Sequence, residues 1–386
     1  MSAPLLRTEI LRTEAALDAL RIEWQAAAAA DAGISLFLTW DYLGALWRHF
    51  HRKKDEPWLV VVRRRGELVG LLPLVLSRHR TGGATVRVLR SMSQWEGAGA
   101  GVLAAIPTDQ VWQASFAALV AERQAWDALD LRQLDELAWP LRHLHEFGAG
   151  WHCEVITDGV SVRQPLQIDG AQWSAQCPDP LRLALQRRES RWLSEQGSPL
   201  QFEIADTPAT IGAAFDRYLA LEQRSRRSTR QSLIGSNQRR MAFYRELLPQ
   251  LAAQRKAAVW LALRTDPESP GAVQPVAGLI RLFHRDEVYE RHFTADKAYA
   301  GYAPATLLTL EVLRRSLGGR WRESVLPANL TAFGQSHELA DCYGLQRKTC
   351  RLVVRQLQGA VPRLGHTLVE VVRGLGRKSP GPITPA

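Results

Sequence analysis

The sequence predicts a mixed α/β (α+β) chain of two domains, each a mixed twisted sheet flanked by helices. Three observations lead to this prediction. The length of 386 residues exceeds what one hydrophobic core usually spans. Stretches of helical spacing alternate with short apolar runs, and their order in the first half recurs in the second. The predicted domains are 1–170 and 171–360, followed by a basic helix and disordered tail over 361–386.

The first half begins with helical patterns and continues with strands. Leu17, Leu20 and Trp24 recur at helical spacing, and Thr39 is the expected N-cap of an aromatic helix. Apolar runs on either side of Arg65–Gly66 predict two strands joined by a turn. The predicted elements of this half are helices over 13–29, 37–50 and 109–125 and strands over 57–78, 85–92, 126–134 and 153–168.

The second half repeats this order. The stretches "LVGLLPL" (68–74) and "VAGLIRL" (276–282) share their glycine and apolar positions, which favours a duplication. Pro73 lies inside the first of them and predicts a bulge or a sheet edge there. The predicted elements of the second half are helices over 178–197, 207–225, 236–254 and 305–319 and strands over 200–206, 257–264, 275–285 and 287–295.

A turn of small residues, "AYAGYAP" (298–304), separates the last of these strands from the last helix. The first N–H groups of a helix lack helical partners and carry partial positive charge, so small residues there allow a phosphate to approach. Pro304 fits the helix start because it has no N–H to satisfy. An ordinary strand-to-helix turn would have the same residues. The sequence contains neither a GxGxxG motif nor a P-loop motif, which are the usual signs of a nucleotide site. "EGAGAGV" (96–102) is the counterpart in the first half.

The net charge of +10 is unevenly distributed. The stretch from Arg182 to Arg264 has 15 basic and 7 acidic residues, and the stretch from Arg347 to Lys378 has 8 basic and 1 acidic. The two basic zones predict either an anionic partner (a nucleotide cofactor, RNA, an anionic glycan or a membrane surface) or a solvated arginine-rich surface.

Other sequence patterns bear on metal sites, disulfides and location. The four cysteines, Cys153, Cys177, Cys342 and Cys350, form no CxxC pair, so neither a zinc knuckle nor a disulfide framework is indicated. The histidines of "LRHLHEFGAGWH" (141–152) have no obvious carboxylate partner beyond Glu146, and no metal is expected. There is no apolar run of membrane-spanning length and no signal-peptide pattern at the N-terminus, so a cytoplasmic location is expected.

The chain from "RESRWLSEQG" through "FYRELLPQLAAQ", "VWLALR", "PVAGLIRL" and "YERHFTADKAYAGYAPATLLTLEVLRR" resembles GNAT-type acyltransferases of the cellulose-biosynthesis (CelD-like) family. "FLTWDYLGALWRHF" and "WLVVVRRRGELVGLLPLVL" resemble the first half of that family, and the likeness covers roughly 35–355. It implies tandem GNAT-like domains that use an acyl-CoA, usually acetyl-CoA, as co-substrate. The cofactor-binding residues that it implies lie at the turn: Tyr299, Gly301, Tyr302, Ala303, Ala305 and Thr306.

The sequence departs from the family pattern at two places. Ala305 follows Pro304 where the family commonly has glycine. Phe333 and Gly334 match the family's Asp-Phe-Gly run, but the lysine that should follow is absent, as is a tryptophan-lysine pair earlier in the domain. The sequence therefore leaves open which substrate is used and whether the protein retains catalytic activity.

Acyl transfer needs a base for the nucleophile and stabilisation of the thioester oxygen. Glu290 and His292 in "YERHF" are the preferred base pair, since regular alternation would put both on one face of the strand. His337 and Glu338 are the second candidates, and Tyr343 is a candidate acid for the leaving thiolate. Structural roles explain the same residues. Glu290 is then a surface glutamate and His292 a structural histidine, and His337 and Glu338 belong to a helix N-terminus at "QSHEL".

The sequence therefore predicts acyl transfer from an acyl-CoA to a small-molecule acceptor, an amine or a sugar. The resemblance implies exopolysaccharide or envelope metabolism, with polysaccharide-synthesis machinery as a partner. One alternative is a Fem-type aminoacyl-tRNA-dependent transferase, in which tRNA would be the nucleic-acid partner. The other is a catalytically inactive accessory protein of a polysaccharide synthase.

Overall fold

The computed structural model describes residues 6–81, 84–96, 99–148, 150–176, 179–225, 234–265, 273–326 and 345–356. These residues form two compact units. One contains the described residues up to Asp158 and those from Lys348 onward, and the other contains those from Gly159 to Arg347. The sequence-based boundary at 170/171 differs from this division, and the predicted helix and tail at 361–386 lie outside the described residues.

Thirteen strands occur in the described part of the chain. They are β1 Leu6–Leu11, β2 Glu56–Arg64, β3 Glu67–Thr81, β4 Ala84–Ser91, β5 Leu103–Ala104, β6 Ala128–Asp135, β7 Trp151–Pro165, β8 Gln201–Ala205, β9 Ala257–Thr265, β10 Val273–His284, β11 Glu287–Ala295, β12 Glu323–Leu326 and β13 Leu345–Gln356.

Ten α-helices occur in the same ranges. They are α1 Glu14–Ala19, α2 Arg21–Ala30, α3 Trp40–Phe50, α4 Thr108–Ala121, α5 Trp139–Arg142, α6 Gly170–Gln176, α7 Asp179–Gln196, α8 Pro208–Ser225, α9 Gln238–Ala253 and α10 Pro304–Ser316. Short 3₁₀ segments lie at Met92–Glu96 and Lys297–Tyr302, directly after β4 and β11.

Each unit contains one mixed sheet. In the first unit the strand order is β1-β2-β3-β4-β6-β13, with the short β5 also paired to β3. In the second unit the order is β7-β12-β11-β10-β9-β8. The pairs β4–β6 and β11–β12 are parallel, and α4 and α10 are the crossover helices that join them. The mixed α/β prediction with a helix-flanked sheet in each domain is confirmed.

The last strand of each half pairs in the sheet of the other half. Residues Val162–Pro165 of β7 pair with β12 in the second unit. Residues Thr349–Arg355 of β13 pair with β6 in the first unit. This exchange explains why the compact units divide the chain after Asp158 and Arg347 rather than once near residue 170.

The predicted hairpin between β2 and β3 is present. Its turn residues Arg65 and Gly66 have φ of 56° and 91°, which suits glycine at the second position. Pro73 does not cause a bulge or lie on a sheet-edge strand, because it pairs in register with Leu59. On the side of β3 that faces away from β2, β5 pairs as far as Leu71 and β4 begins to pair at Leu74. The N–H that Pro73 lacks therefore falls between these two pairings.

The element order repeats between the units, but the seven-residue match is out of register. Gly70 faces α4, where its Cα lies against Val111, whereas Gly278 faces α8, where its Cα lies against Tyr218. The equivalent helices are α4 and α10, so the two glycines face opposite sides of equivalent strands. The shared order of elements is therefore found in both sheets, whereas the seven-residue match does not bring together equivalent positions.

Both glycines are expected to be intolerant of a side chain. A Cβ at Gly70 would lie 2.6 Å from a Val111 methyl, and one at Gly278 would lie 2.8 Å from the Tyr218 ring. Each Gly→Ala substitution should lower the free energy of unfolding by about 1–3 kcal/mol. The matched control is Gly212→Ala in α8, which has open space around it and should be neutral or stabilising. Equal unfolding midpoints in denaturant for all three variants would contradict the packing described here.

Candidate functional site

Toward its end, the outer edge of β11 has no partner strand among the described residues. The parallel ladder between β11 and β12 runs from Glu287–Glu323 to Tyr289–Val325 and stops there. Beyond Tyr289, β11 continues to Ala295 and pairs only with β10 among the described strands. The backbone N–H and C=O groups along this edge are positioned to bind an extended ligand.

A β-bulge interrupts β11 at Arg291. Ile280 pairs with His292 and the next residue, Arg281, pairs with Glu290, so Arg291 is the extra residue. The bulge removes the regular alternation of faces, and Glu290 and His292 point to opposite sides of the sheet. The expectation that they share a face is wrong, and the structure does not bring them together as a base pair.

Glu290 lies on the α10 side and is 3% exposed. Its Oε1 accepts hydrogen bonds from Arg281 Nε at 3.0 Å and Ser324 Oγ at 2.9 Å. Arg281 is 3% exposed as well, and its Nη2 donates to Ser316 Oγ at 3.1 Å. The carboxylate is therefore half of a buried ion pair between the sheet and α10, away from solvent.

His292 lies on the α9 side and is half-buried. Its Nε2 is hydrogen bonded to the hydroxyl of Tyr244 at 2.7 Å, and the two rings meet edge to face. When the Tyr244 oxygen accepts from Nε2–H, the lone pair of the imidazole is on Nδ1, the nitrogen that can then accept a proton. Tyr244 was not predicted from the sequence, where its stretch "FYRELL" reads as an ordinary helix core.

Two further hydroxyls are buried on this side of β10 and β11. Tyr218 Oη and Thr294 Oγ1 are enclosed and have no hydrogen-bond partner within the described ranges. Burial raises the pKa of Tyr218 well above its usual range, and the nearby carboxyl of Glu222 adds to this. The α8–α9 side of the sheet thus has neutral hydroxyls close to His292.

Glu222 anchors the chain between α8 and α9. Its two carboxylate oxygens accept from the backbone N–H groups of Ile234 at 3.0 Å and Gly235 at 2.8 Å. Burial raises the pKa of Glu222, and these two hydrogen bonds oppose that shift. The carboxyl therefore has a structural role in fixing the entry to α9.

The predicted phosphate turn has a defined shape. Asp296 caps the 3₁₀ segment through the N–H of Ala298 at 3.0 Å and receives Arg224 Nε at 2.8 Å. Ala303 is in the left-handed conformation, with φ 49° and ψ 53°, and Pro304 begins α10. A left-handed residue before a proline reverses the chain sharply, which directs the start of α10 back along β11.

Most amides of this turn are already used. Thr306 N–H and Leu307 N–H both donate to Ala303 O, at 2.9 and 3.2 Å, and Tyr299 N–H donates to Asp296 O at 3.1 Å. The predicted phosphate turn therefore does not offer a continuous row of unpaired amides. The N–H of Ala305 donates to no described residue, because Ala303 in the left-handed conformation turns the preceding carbonyls away from it.

The aromatic residues of the turn pack on α7. The rings of Tyr299 and Tyr302 lie 5.9 and 5.5 Å from that of Trp192, and Tyr302 Oη donates to Glu195 at 2.8 Å. Gly301 is exposed, and a Cβ built on it would meet no atom within 4 Å. The turn thus packs against α7 through its two tyrosines, and it is accessible to a ligand at Gly301.

Three cationic side chains lie at or near the turn. Arg191 donates to Gly301 O at 3.4 Å and is paired with Glu195. Arg264 lies 5.6 Å from the Tyr299 ring and donates to Gln196, and Lys297 is exposed. Among the described residues, neither Arg264 nor Lys297 has a carboxylate within ion-pair distance, so their charge is available to an anion.

The counterpart of this turn in the first unit is closed. Ala100 N–H donates to Arg132 O at 2.9 Å, and Ser93 Oγ donates to Gly99 O at 2.9 Å. A Cβ at Gly99 would lie 2.7 Å from Gln133 O, so the chain itself fills this space. The first unit offers no equivalent opening in its described residues.

Three of the predicted site residues, His337, Glu338 and Tyr343, lie outside the described residues. In the first unit, His143 stacks on Trp139 at 4.4 Å between ring centroids and shares a hydrogen bond with the carbonyl of that residue. Burial raises the pKa of the Cys153 and Cys350 thiols. No described helix is both long and apolar enough to span a membrane.

Comparison with known families decides what kind of domain contains this site. Residues 185–322 match the family model of the acetyltransferase (GNAT) domain. The second unit therefore contains a GNAT-type acyltransferase domain over these residues. The matched range contains β11, its bulge and the turn that leads into α10. The narrower CelD-like assignment stays a prediction, and no curated protein is significantly similar to the chain.

Solved structures share the fold of the whole GNAT-containing chain. FemX aligns over 91% of this chain and 98% of its own, with a TM-score of 0.56 at 10% identity. L-PGS from Bacillus licheniformis aligns over 92% and 97%, with a TM-score of 0.53 at 14% identity. A tandem GNAT protein from the clavulanic acid biosynthesis pathway aligns over 92% and 100%, with a TM-score of 0.47 at 15% identity. At these identities the first two likenesses concern the fold alone.

Proposed function

We propose that this protein transfers an acyl group from an acyl-CoA, with acetyl-CoA as the first donor to test, to a small amine or sugar hydroxyl. The observation that carries the proposal is the open turn at Gly301–Ala305, within the matched GNAT range, beside the edge of β11 that pairs with no described strand. The diphosphate of the donor would lie at Gly301 and the amide of Ala305. Arg264 and Lys297 would neutralise its charge.

The pantetheine arm of the donor fits the remaining geometry. It is extended and contains two amide groups, so it can pair with the free edge of β11 as an added strand does. The edge beyond Tyr289 has the backbone groups for this pairing, and the bulge at Arg291 alters their direction. The thioester would then lie near the bulge, between the turn and His292.

In the proposed reaction, His292 removes the proton from the acceptor nitrogen or oxygen as that atom attacks the thioester carbonyl. A bond forms from the acceptor to the acyl carbon, the carbon–sulfur bond breaks, and the CoA thiolate takes up the proton that His292 removed. This step uses the tautomer in which Nε2–H donates to the Tyr244 oxygen and Nδ1 takes up the proton. Glu290 has no part in this step because its carboxylate lies on the other side of the sheet, in the ion pair with Arg281.

Thermal unfolding tests the donor. Saturating acetyl-CoA should raise the unfolding temperature, since about 100-fold excess over Kd adds about 2.7 kcal/mol to the native state. Acetyl-pantetheine is the matched ligand because it keeps the thioester and lacks the diphosphate, and it should give a much smaller rise. Equal effects of the two ligands, or no effect of millimolar acetyl-CoA, would contradict the proposed donor site.

A Fem-type aminoacyl-tRNA donor is the second candidate. The excess of basic residues between Arg182 and Arg264 and the FemX-like fold favour it. In that case aminoacyl-tRNA, and not acetyl-CoA, should stabilise the protein, with an affinity that falls steeply as salt rises. Binding of neither donor would favour the accessory role at a polysaccharide synthase.

A further inference from the structure

Glu290 has a carboxylate oxygen that is buried without a partner among the described residues. Its Oε1 accepts from Arg281 and Ser324, whereas its Oε2 is enclosed and accepts no hydrogen bond from that part of the chain. An ionised buried oxygen without a donor is strongly destabilising, so a missing donor is the expected explanation.

A small cavity adjoins this residue. It measures about 10 Å³, close to the space that one water molecule requires. Apolar residues of α10 and Leu166 line part of it. Its polar lining consists of Arg281, Glu290, Thr309, Ser316 and Ser324. The cavity therefore has the polar lining and the size that suit one water molecule.

Thr309 connects the cavity to the turn. Its Oγ1 donates to the carbonyl of Ala305 at 2.9 Å, and the same oxygen can still accept a hydrogen bond. Thr309 is 9% exposed and lies in the same lining as Glu290. Ala305 is the residue whose N–H faces the proposed diphosphate.

We propose that the cavity binds one structural water molecule that donates to Glu290 Oε2 and to Thr309 Oγ1 and thereby positions the first turn of α10 on β11. Glu290 is then a positioning residue of the donor site and not the catalytic base. The ligand is neutral water and not a cation, because Arg281 already balances the charge of Glu290. The effect on donor affinity rests on the proposed function, whereas the water site does not.

The test compares two substitutions of one residue. Thr309→Val keeps the shape of the side chain but removes the hydroxyl, and Thr309→Ser restores it. In crystal structures at better than about 2 Å, the wild type and Thr309→Ser should contain a water within hydrogen-bond distance of Glu290 Oε2. Thr309→Val should have lost this water or show it displaced. An ordered but dry cavity in the wild type overturns the proposal.

Binding separates positioning from a merely structural role. Thr309→Val should weaken acetyl-CoA binding by about 3- to 10-fold with kcat at saturation unchanged, and Thr309→Ser should bind as the wild type does. Wild-type affinity in Thr309→Val overturns the positioning role. If the wild type binds no acetyl-CoA, the proposed function fails, and the crystallographic comparison still decides the water site.

Discussion

Replacing His292 by alanine is expected to lower kcat for acyl transfer by about 10²- to 10⁴-fold, the range for removal of a general base. The imidazole is half-buried on the α9 side of β11, at the end of the open edge, and its Nε2 is bonded to Tyr244. Donor affinity should change little, because the turn at Gly301–Ala305 is a separate part of the site. The measurement is steady-state kinetics with acetyl-CoA and a panel of amine and sugar acceptors.

Chemical rescue distinguishes a base from a packing residue. Added imidazole should restore part of the activity of His292→Ala, since the lost group is a diffusible molecule and the site is partly open to solvent. Tyr244→Phe is the matched variant that removes only the hydroxyl, and it should give a smaller loss that imidazole does not reverse. Unchanged kcat in His292→Ala, with the fold intact, would remove His292 from the mechanism.

Replacing Gly301 by aspartate is expected to weaken acetyl-CoA binding at least about 10-fold, or about 1.4 kcal/mol, without loss of the fold. No atom lies within 4 Å of a Cβ at this position, so the substitution costs little stability in the free protein. The new carboxylate would occupy the approach to the Ala305 amide and repel the diphosphate. Titration calorimetry gives the affinity and thermal unfolding gives the stability.

Two controls accompany this variant. Gly212→Asp makes the same charge change at an open position of α8 and should bind acetyl-CoA normally. Gly301→Val blocks the approach without adding charge. The difference between its loss of acetyl-CoA affinity and that of Gly301→Asp measures the electrostatic part of the effect. If Gly301→Asp binds acetyl-CoA as tightly as Gly212→Asp does, the donor does not approach this turn.

Local periodicity was sufficient to predict most helices and strands. The aromatic helix after Thr39, the hairpin at Arg65–Gly66 and the helix that begins at Pro304 all occur as predicted, because each depends on residues that are close in sequence. The exchange of β7 and β13 between the sheets was not predicted. Strand pairing over such separations leaves no mark in a local pattern, so the domain boundaries could not follow from periodicity.

The candidate site was predicted only in part. Residue types single out the turn and His292 as candidates, but the surroundings of both depend on register. The bulge at Arg291 comes from the pairing of β11 with β10, and one extra residue moves Glu290 to the opposite face from His292. Tyr244 is 48 residues from His292 in sequence, and no pattern connects them before the fold is known.

Hydrogen–deuterium exchange with saturating acetyl-CoA tests the central claim most directly, because it locates the donor on the chain. We expect new protection in peptides that cover the turn, 296–308, and the open edge of β11, 290–295, with little change at the closed counterpart around Ala100. Saturated binding without protection at 296–308, or with protection confined to the first unit, would contradict a donor site at this turn.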